Sequence, residues 1–289
     1  MRTLIASVLL VGLLSGLHAS AQDDKGKELT PYSLIEIKNL LDNFKSTYKK
    51  KKVPQEDSIN VIEPMKDAYR FMESKGDERT KEEIKAQAAI VSLLGKGLFA
   101  RKRARINVEC ARALGTMPSK ESGKQLLRWM DGVVLDAKAP NSDWVEYGFR
   151  SMAWVGAKDS KTLDFVRGYA TGKHVEITVA SQALMAMGQW RNLKGSVRKE
   201  WFNKVSQYLG GLWSASRGTD PKKKGEAEAK YQAVKDNGLQ TLTLLSGETT
   251  AFEDPDKAGA FYKANKKRKW DDYVGPRFRK AAGAQKPKE

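Results

Sequence analysis

One cysteine and two histidines serve a chain of 289 residues, and each shortage closes off a class of chemistry. A lone Cys110 cannot form an internal disulfide, so stability has to come from packing. It occupies a small-residue position among apolar neighbours and is expected to behave as a buried small hydrophobe. Of the histidines, His18 falls in the N-terminal leader described below, which leaves His174. One histidine excludes a His-rich zinc site and is the sole candidate base for any Ser-His-Asp arrangement. Its place at a helix start, between Lys173 and Val175, fits a surface or capping role instead.

Other motifs are missing as well. Gly172-Lys173 lacks the earlier glycine and the following hydroxyl residue of a phosphate loop, and Gly95-Lys96-Gly97 follows a helical pattern where a strand would be required. Ser46-Thr47-Tyr48-Lys49 and Ser196-Val197-Arg198-Lys199 fit an S-x-x-K pattern, but the companion elements of the acylases that use it are absent. Asp254 to Asn265 has the outline of a calcium loop, with alanine at position five and asparagine at position twelve, so helix capping explains its aspartates better. No catalytic, cofactor-binding or metal-ligating residue is predicted, and the chain is expected not to be an enzyme.

What the sequence does contain begins with a leader. Arg2 supplies a positive start, Leu4 to Leu17 an apolar run, and Ala19-Ser20-Ala21 a small-residue cleavage site followed by Asp23 and Asp24. Residues 1–21 read as a signal peptide, and the absence of a cysteine at the cleavage point argues against a lipid anchor. No later stretch approaches the roughly 18 apolar residues of a membrane span. The expected location is therefore periplasmic or extracellular, and the protein is not expected to be integral to a membrane.

Beyond the leader, apolar residues recur with helical spacing and no stretch alternates like a strand. Thr30-Pro31 predicts the start of a first helix carrying Leu34, Ile37, Leu41, Phe44 and Tyr48. A second runs from about Asp57 to Ser74, with Pro64 either kinking it or marking its start. Thr80 to Glu83 fits a capping box ahead of Ile84, Val91, Leu94 and Leu98.

From about Arg103 a pattern returns four times: small, small three later, long apolar one later, apolar three later. The copies are Cys110-Ala113-Leu114-Met117, Gly148-Ser151-Met152-Val155, Ala180-Ala183-Leu184-Met187 and Gly238-Thr241-Leu242-Leu245, each with glycine or proline close behind. The long apolar positions are 38, 32 and 58 residues apart, from 114 to 152, 152 to 184 and 184 to 242. Each copy is followed by a second helix: Ser119 to about Leu135, Asp159 to Tyr169, Ser196 to Trp213 and Asp254 to Lys266. The last interval is longer because it also holds an expected Asp220 to Gly225 linker. Recurrence on this scale marks stacked helical hairpins, in which small residues face a neighbouring backbone and long ones fill the space between layers.

Ala111-Arg112-Ala113-Leu114-Gly115 and Ala183-Leu184-Met185-Ala186-Met187-Gly188 resemble the first-helix signature of HEAT repeats, the armadillo-like α-solenoid family. The stretch from Leu239 through Asp256, Ala258, Phe261, Tyr262, Asn265 and Trp270 resembles the ends of secreted bacterial HEAT-like proteins. The resemblance implies an all-α, right-handed α-solenoid of antiparallel helix pairs, about four repeats behind an N-terminal helical cap. It divides the chain into a signal peptide (1–21), a cap (22–78), a repeat domain (79–274) and a disordered basic tail (275–289). A solenoid of this kind implies a scaffold that binds an unknown protein partner.

Charge suggests an alternative. The chain carries 52 Lys and Arg against 35 Asp and Glu, a formal +17. Residues 22–78 hold eleven basic and twelve acidic side chains, so nearly all the excess lies beyond them. Clusters at Arg101, Lys102, Arg103 and Arg105, and at Lys266, Lys267, Arg268 and Lys269, are candidate sites for an acidic polymer, a polysaccharide or extracellular nucleic acid. All seven tryptophans lie between 129 and 270, and exposed ones would stack on sugars or bases. Trp154 and Trp201 are expected in the core. If the leader is cleaved as its pattern predicts, mass spectrometry of the exported protein finds Gln22 at its N-terminus; a retained leader removes the export assignment.

Overall fold

A computed structural model describes residues 31–136, 140–155, 160–174, 176–190 and 193–270. The leader, Thr30, Asp159 and the tail expected at 275–289 lie outside the described residues. Eleven α-helices and no strand are present among those described: α1 Leu34–Thr47, α2 Gln55–Ser74, α3 Lys81–Gly97, α4 Ala104–Gly115, α5 Lys120–Trp129, α6 Ser142–Val155, α7 Ser160–Ala170, α8 Ile177–Gln189, α9 Gly195–Ala215, α10 Pro221–Ser246 and α11 Pro255–Asn265. A π-helical turn, Met130–Val134, prolongs α5.

Local chemistry explains most helix starts. Ser33 opens α1, with its own N–H donating to Glu36 Oε2 at 2.7 Å and its hydroxyl accepting from Glu36 N at 3.2 Å. That capping box shifts the start three residues beyond Pro31, away from the expected Thr30-Pro31 entry. The box at Thr80 and Glu83 forms as predicted. Ser119 accepts from Ser122 N, Asn141 from Trp144 N and Asp254 from Lys257 N. Two expectations are corrected. Pro64 does not mark the start of α2, which begins at Gln55 and runs through it to Ser74. Asp220 to Gly225 is not a linker, because Asp220 accepts from Lys222 N and Lys223 N and Pro221 takes the first turn of α10, where a proline has no N–H to lose.

The helices pack in two rows. Alternate helices α2, α4, α6, α8 and α10 each touch the next, and α1, α3, α5 and α7 do the same on the other side. All sixteen positions of the fourfold pattern are buried. Their neighbours show why they are small. Gly148 on α6 faces Met130, Gly238 on α10 faces Leu209 of α9, and Cys110 on α4 faces Gly97 of α3. Each first slot thus admits the helix preceding it. Burial raises the Cys110 thiol pKa, keeping it protonated.

Two glycines, Gly115 inside the first copy and Gly188 just behind the third, pack against the second slot of the next copy. A Cβ on Gly115 would stand 3.0 Å from Ser151 Cα, and one on Gly188 would stand 3.3 Å from Thr241 Cα. Thr241 also donates its hydroxyl to Leu184 O at 2.7 Å, joining α10 to α8.

Trp201, Trp129 and Trp270 are buried, but Trp154 is 37% exposed. The core expectation fails for Trp154 because it stands two residues after Met152, about 200° around the helix from that buried side chain.

Leucine at Gly115 or Gly188 should destabilise by about 1–3 kcal/mol through overpacking, lowering the melting temperature by several degrees. Leucine at Gly210, whose Cβ would meet nothing within 4 Å, is the control. Equal melting temperatures for all three variants would show that close approach does not set the helix spacing.

Candidate polyanion interface

The two predicted basic clusters have different fates. Arg101, Lys102 and Arg103 form the turn between α3 and α4, with Lys102 in the left-handed region at φ 58°. That conformation turns Arg103 inward, leaving it 5% exposed. Its Nη1 donates to Lys50 O and Val53 O, both at 2.7 Å, and its Nη2 to Pro54 O at 3.3 Å. Arg103 therefore ties the α1–α2 turn to α4 and is withdrawn from the surface set. Arg105 pairs with Glu56; the Glu56 carboxyl is held low by its own backbone amide first and then by Arg105. Arg101 and Lys102 are left exposed, so the four cations do not assemble one dense field.

The second cluster is assembled. Lys266 to Lys269 follow α11 in a turn whose far end is pinned by Trp270, 2% exposed against Phe202 at 5.4 Å between ring centres. Trp270 Nε1 donates back to Asn265 O at 3.3 Å, and its carbonyl accepts from the buried Arg198 Nη2 at 2.7 Å. Arg198 Nη1 donates to Leu245 O at 3.1 Å. One guanidinium thus joins α9, the end of α10 and the end of the basic turn, and holds four exposed cations in place.

Those cations line two adjoining cavities between α9 and α11. One, about 560 Å³, includes Asn203, Gln207, Asp256, Tyr262, Lys263 and Lys266. The other, about 510 Å³, includes Lys199, Glu200, Asn203, Tyr262, Lys267, Arg268 and Lys269. Asn203 and Tyr262 belong to both, making one groove. Its two carboxylates are already engaged. Glu200 pairs with Arg167 at 2.7 Å and Lys204 at 3.3 Å, while Asp256 accepts from Trp213 Nε1 at 3.0 Å and lies 3.8 Å from Arg217. Lys199, Lys263, Lys266, Lys267, Arg268 and Lys269 have no ion-pair partner among the described residues.

Sequence reasoning missed Lys199, Lys263, Asn203 and Tyr262. The available signal was their spacing: 199 and 203 lie one turn apart on α9, and 259, 262 and 263 share a face of α11 with Lys266 at its C-cap. Nothing in the sequence said that those two faces meet. The remaining candidates are structural. His174 accepts from Glu176 N through Nδ1 at 3.0 Å just ahead of α8, in keeping with a capping role. Among the described residues, no three His, Cys, Asp or Glu come together to hold a metal, and no helix is long and apolar enough to cross a membrane. No protein-family model matches this chain, and no curated protein or solved structure does either.

The two buried arginines separate anchoring from binding. Arg103→Met should lower stability by about 2–3 kcal/mol, by loss of charged hydrogen bonds, and leave the α9–α11 groove intact. Arg198→Met should speed amide hydrogen exchange at 266–270 while α1 to α6 keep their protection. If exchange there does not change, Arg198 is not the pin.

Proposed function

We propose that this chain is an exported, non-enzymatic binding protein, and that the groove between α9 and α11 holds an anionic polymer. The observation that carries the reading is the set of six cations around one groove whose own carboxylates are satisfied elsewhere. Lysine presents a mobile point charge, and a row of them suits phosphate, sulfate or carboxylate repeats without demanding one geometry. Binding gains chiefly from counterion release. Tyr262, central to the groove, offers a ring on which a sugar or base stacks. The leader pattern supports export, so an acidic polysaccharide or extracellular nucleic acid is the accessible class of ligand.

The frame is read as a HEAT-like α-solenoid of about four helix pairs, with 22–78 as its N-terminal cap. Support comes from the alternate-helix rows and from two close contacts onto the second small position of the following copy, Gly115 on Ser151 and Gly188 on Thr241. A second reading, a scaffold for another protein, is favoured by the exposed Trp154 in a cleft across α2, α4 and α6.

Retention of the protein on heparin and on DNA, as a function of salt, tests the polymer reading. Lys199, Lys267, Arg268 and Lys269 changed together to glutamine should reduce the slope of log affinity against log salt by about 3. The Arg101→Gln, Lys102→Gln double variant should retain most of the binding. No retention of the unaltered protein at low salt, or retention indifferent to the quadruple variant, would sink the proposal.

A further inference from the structure

The repeat register places a polar residue two positions before each long apolar one. It is Arg112 before Leu114 and Arg150 before Met152, and on α2 Arg70 stands in the same relation to the buried Met72. On α8 and α10 the equivalent residues are Gln182 and Gln240. The three arginines line one cavity of about 290 Å³ across α2, α4 and α6, together with Ile62, Tyr147 and Trp154. From this we infer that the cleft binds an extended acidic peptide segment, with carboxylates three residues apart and apolar side chains between them. The inference rests on the protein-binding reading above and names the chemistry of the partner.

Spacing supports this ligand. Neighbouring helices pack about 8–10 Å apart, so equivalent positions on α2, α4 and α6 are spaced on that scale. A polyproline II segment has three residues per turn and rises about 3.1 Å per residue, returning side chains to one side every ~9 Å. Acidic residues at i, i+3 and i+6 therefore match three rungs. The neutral Gln182 ends the cationic ladder at α6.

Charge balance argues for a peptide over a dense polyanion. Each cation has a carboxylate on its own helix: Lys66 with Glu63 at 2.5 Å, Arg70 with Asp67 at 4.0 Å, Arg112 with Glu109 at 3.2 Å, and Arg150 with Glu146. The cleft lining keeps four cations against Glu63 and Glu109, a smaller excess than the six against two of the α9–α11 groove, so it suits a ligand of modest negative charge better than a dense polymer. Pairs within one turn of an exposed helix are weak, about 0.3–0.5 kcal/mol, so an incoming carboxylate can share the guanidinium. One feature holds the guanidiniums ready: the Tyr147 ring lies 5.8 Å from Arg112 and 5.7 Å from Arg150. Trp154 and Ile62 supply apolar surface for the intervening side chains.

The test is selection of a phage-displayed random dodecapeptide library on the full exported protein, followed by affinity measurement of synthetic versions of the winners. Expected are sequences with Asp or Glu at three-residue spacing flanking an aliphatic or aromatic residue. Arg112→Gln and Trp154→Ala should each weaken binding at least tenfold, with Arg112→Lys recovering part of the loss, and Lys267→Gln, Arg268→Gln, Lys269→Gln should leave it unchanged. Arg112 and Trp154 are exposed, so helicity by circular dichroism should be retained in their variants. No enriched peptide, winners without acidic residues, or binding indifferent to Arg112→Gln overturns the inference. Heparin retention measured on the same variants keeps the two proposals separable: its loss with peptide binding intact bears on the groove alone.

Discussion

Helix α4 lies against α6 because Gly115 has no Cβ. With one, the backbone of Ser151 would stand only 3.0 Å away, and α4 or α6 would have to give by a few tenths of an ångström. A similar relation holds between Gly188 and Thr241, two helix pairs further on, where α8 meets α10. Where helices approach this closely, the long residues Leu114, Met152, Leu184 and Leu242 are wholly buried, and the approach sets the α4–α6 and α8–α10 spacings. Close packing inside and regular display outside are two consequences of one steric constraint.

Where regular packing ends, buried guanidiniums take over. Arg103 gathers three carbonyls at the turn between α1 and α2, and Arg198 joins the end of α10 to Trp270. Both sit where helix ends and turns leave carbonyl oxygens without helical partners, and a planar fork of donors reaches several at once. The two surfaces of interest depend on these devices in different ways. The α9–α11 groove presents cations because Arg198 and Trp270 pin a turn. The α2–α4–α6 cleft presents Arg112 and Arg150 from one position of the fourfold pattern, with Arg70 beside them on α2. One carries six cations against two engaged carboxylates, and in the other carboxylates stand among the arginines.

Much of this was legible in order along the chain. The helices, the box at Thr80, the start at Asp254 and the burial of the fourfold pattern follow from periodicity and short-range hydrogen bonding, which are local. Misreadings fell where two local signals competed or where a distant partner decided. Ser33 with Glu36 outcompeted Thr30-Pro31 as a helix start, and Asp220-Pro221 proved a stronger signal than the lysine run after it. Arg103 looked like one of four surface cations, and its role depended on carbonyls about fifty residues earlier.

By itself the sequence determined that the described chain is helical, which side chains face inward along each repeat, and where the positive charge accumulates. Those properties depend on neighbours within one or two turns. Only the tertiary structure decided that Lys199 and Lys263 join Lys266 to Lys269 around one groove, that Arg103 is an anchor, and that Trp154 is exposed. Each of these depends on which helix faces lie opposite one another, and that is set by contacts between residues far apart in the chain.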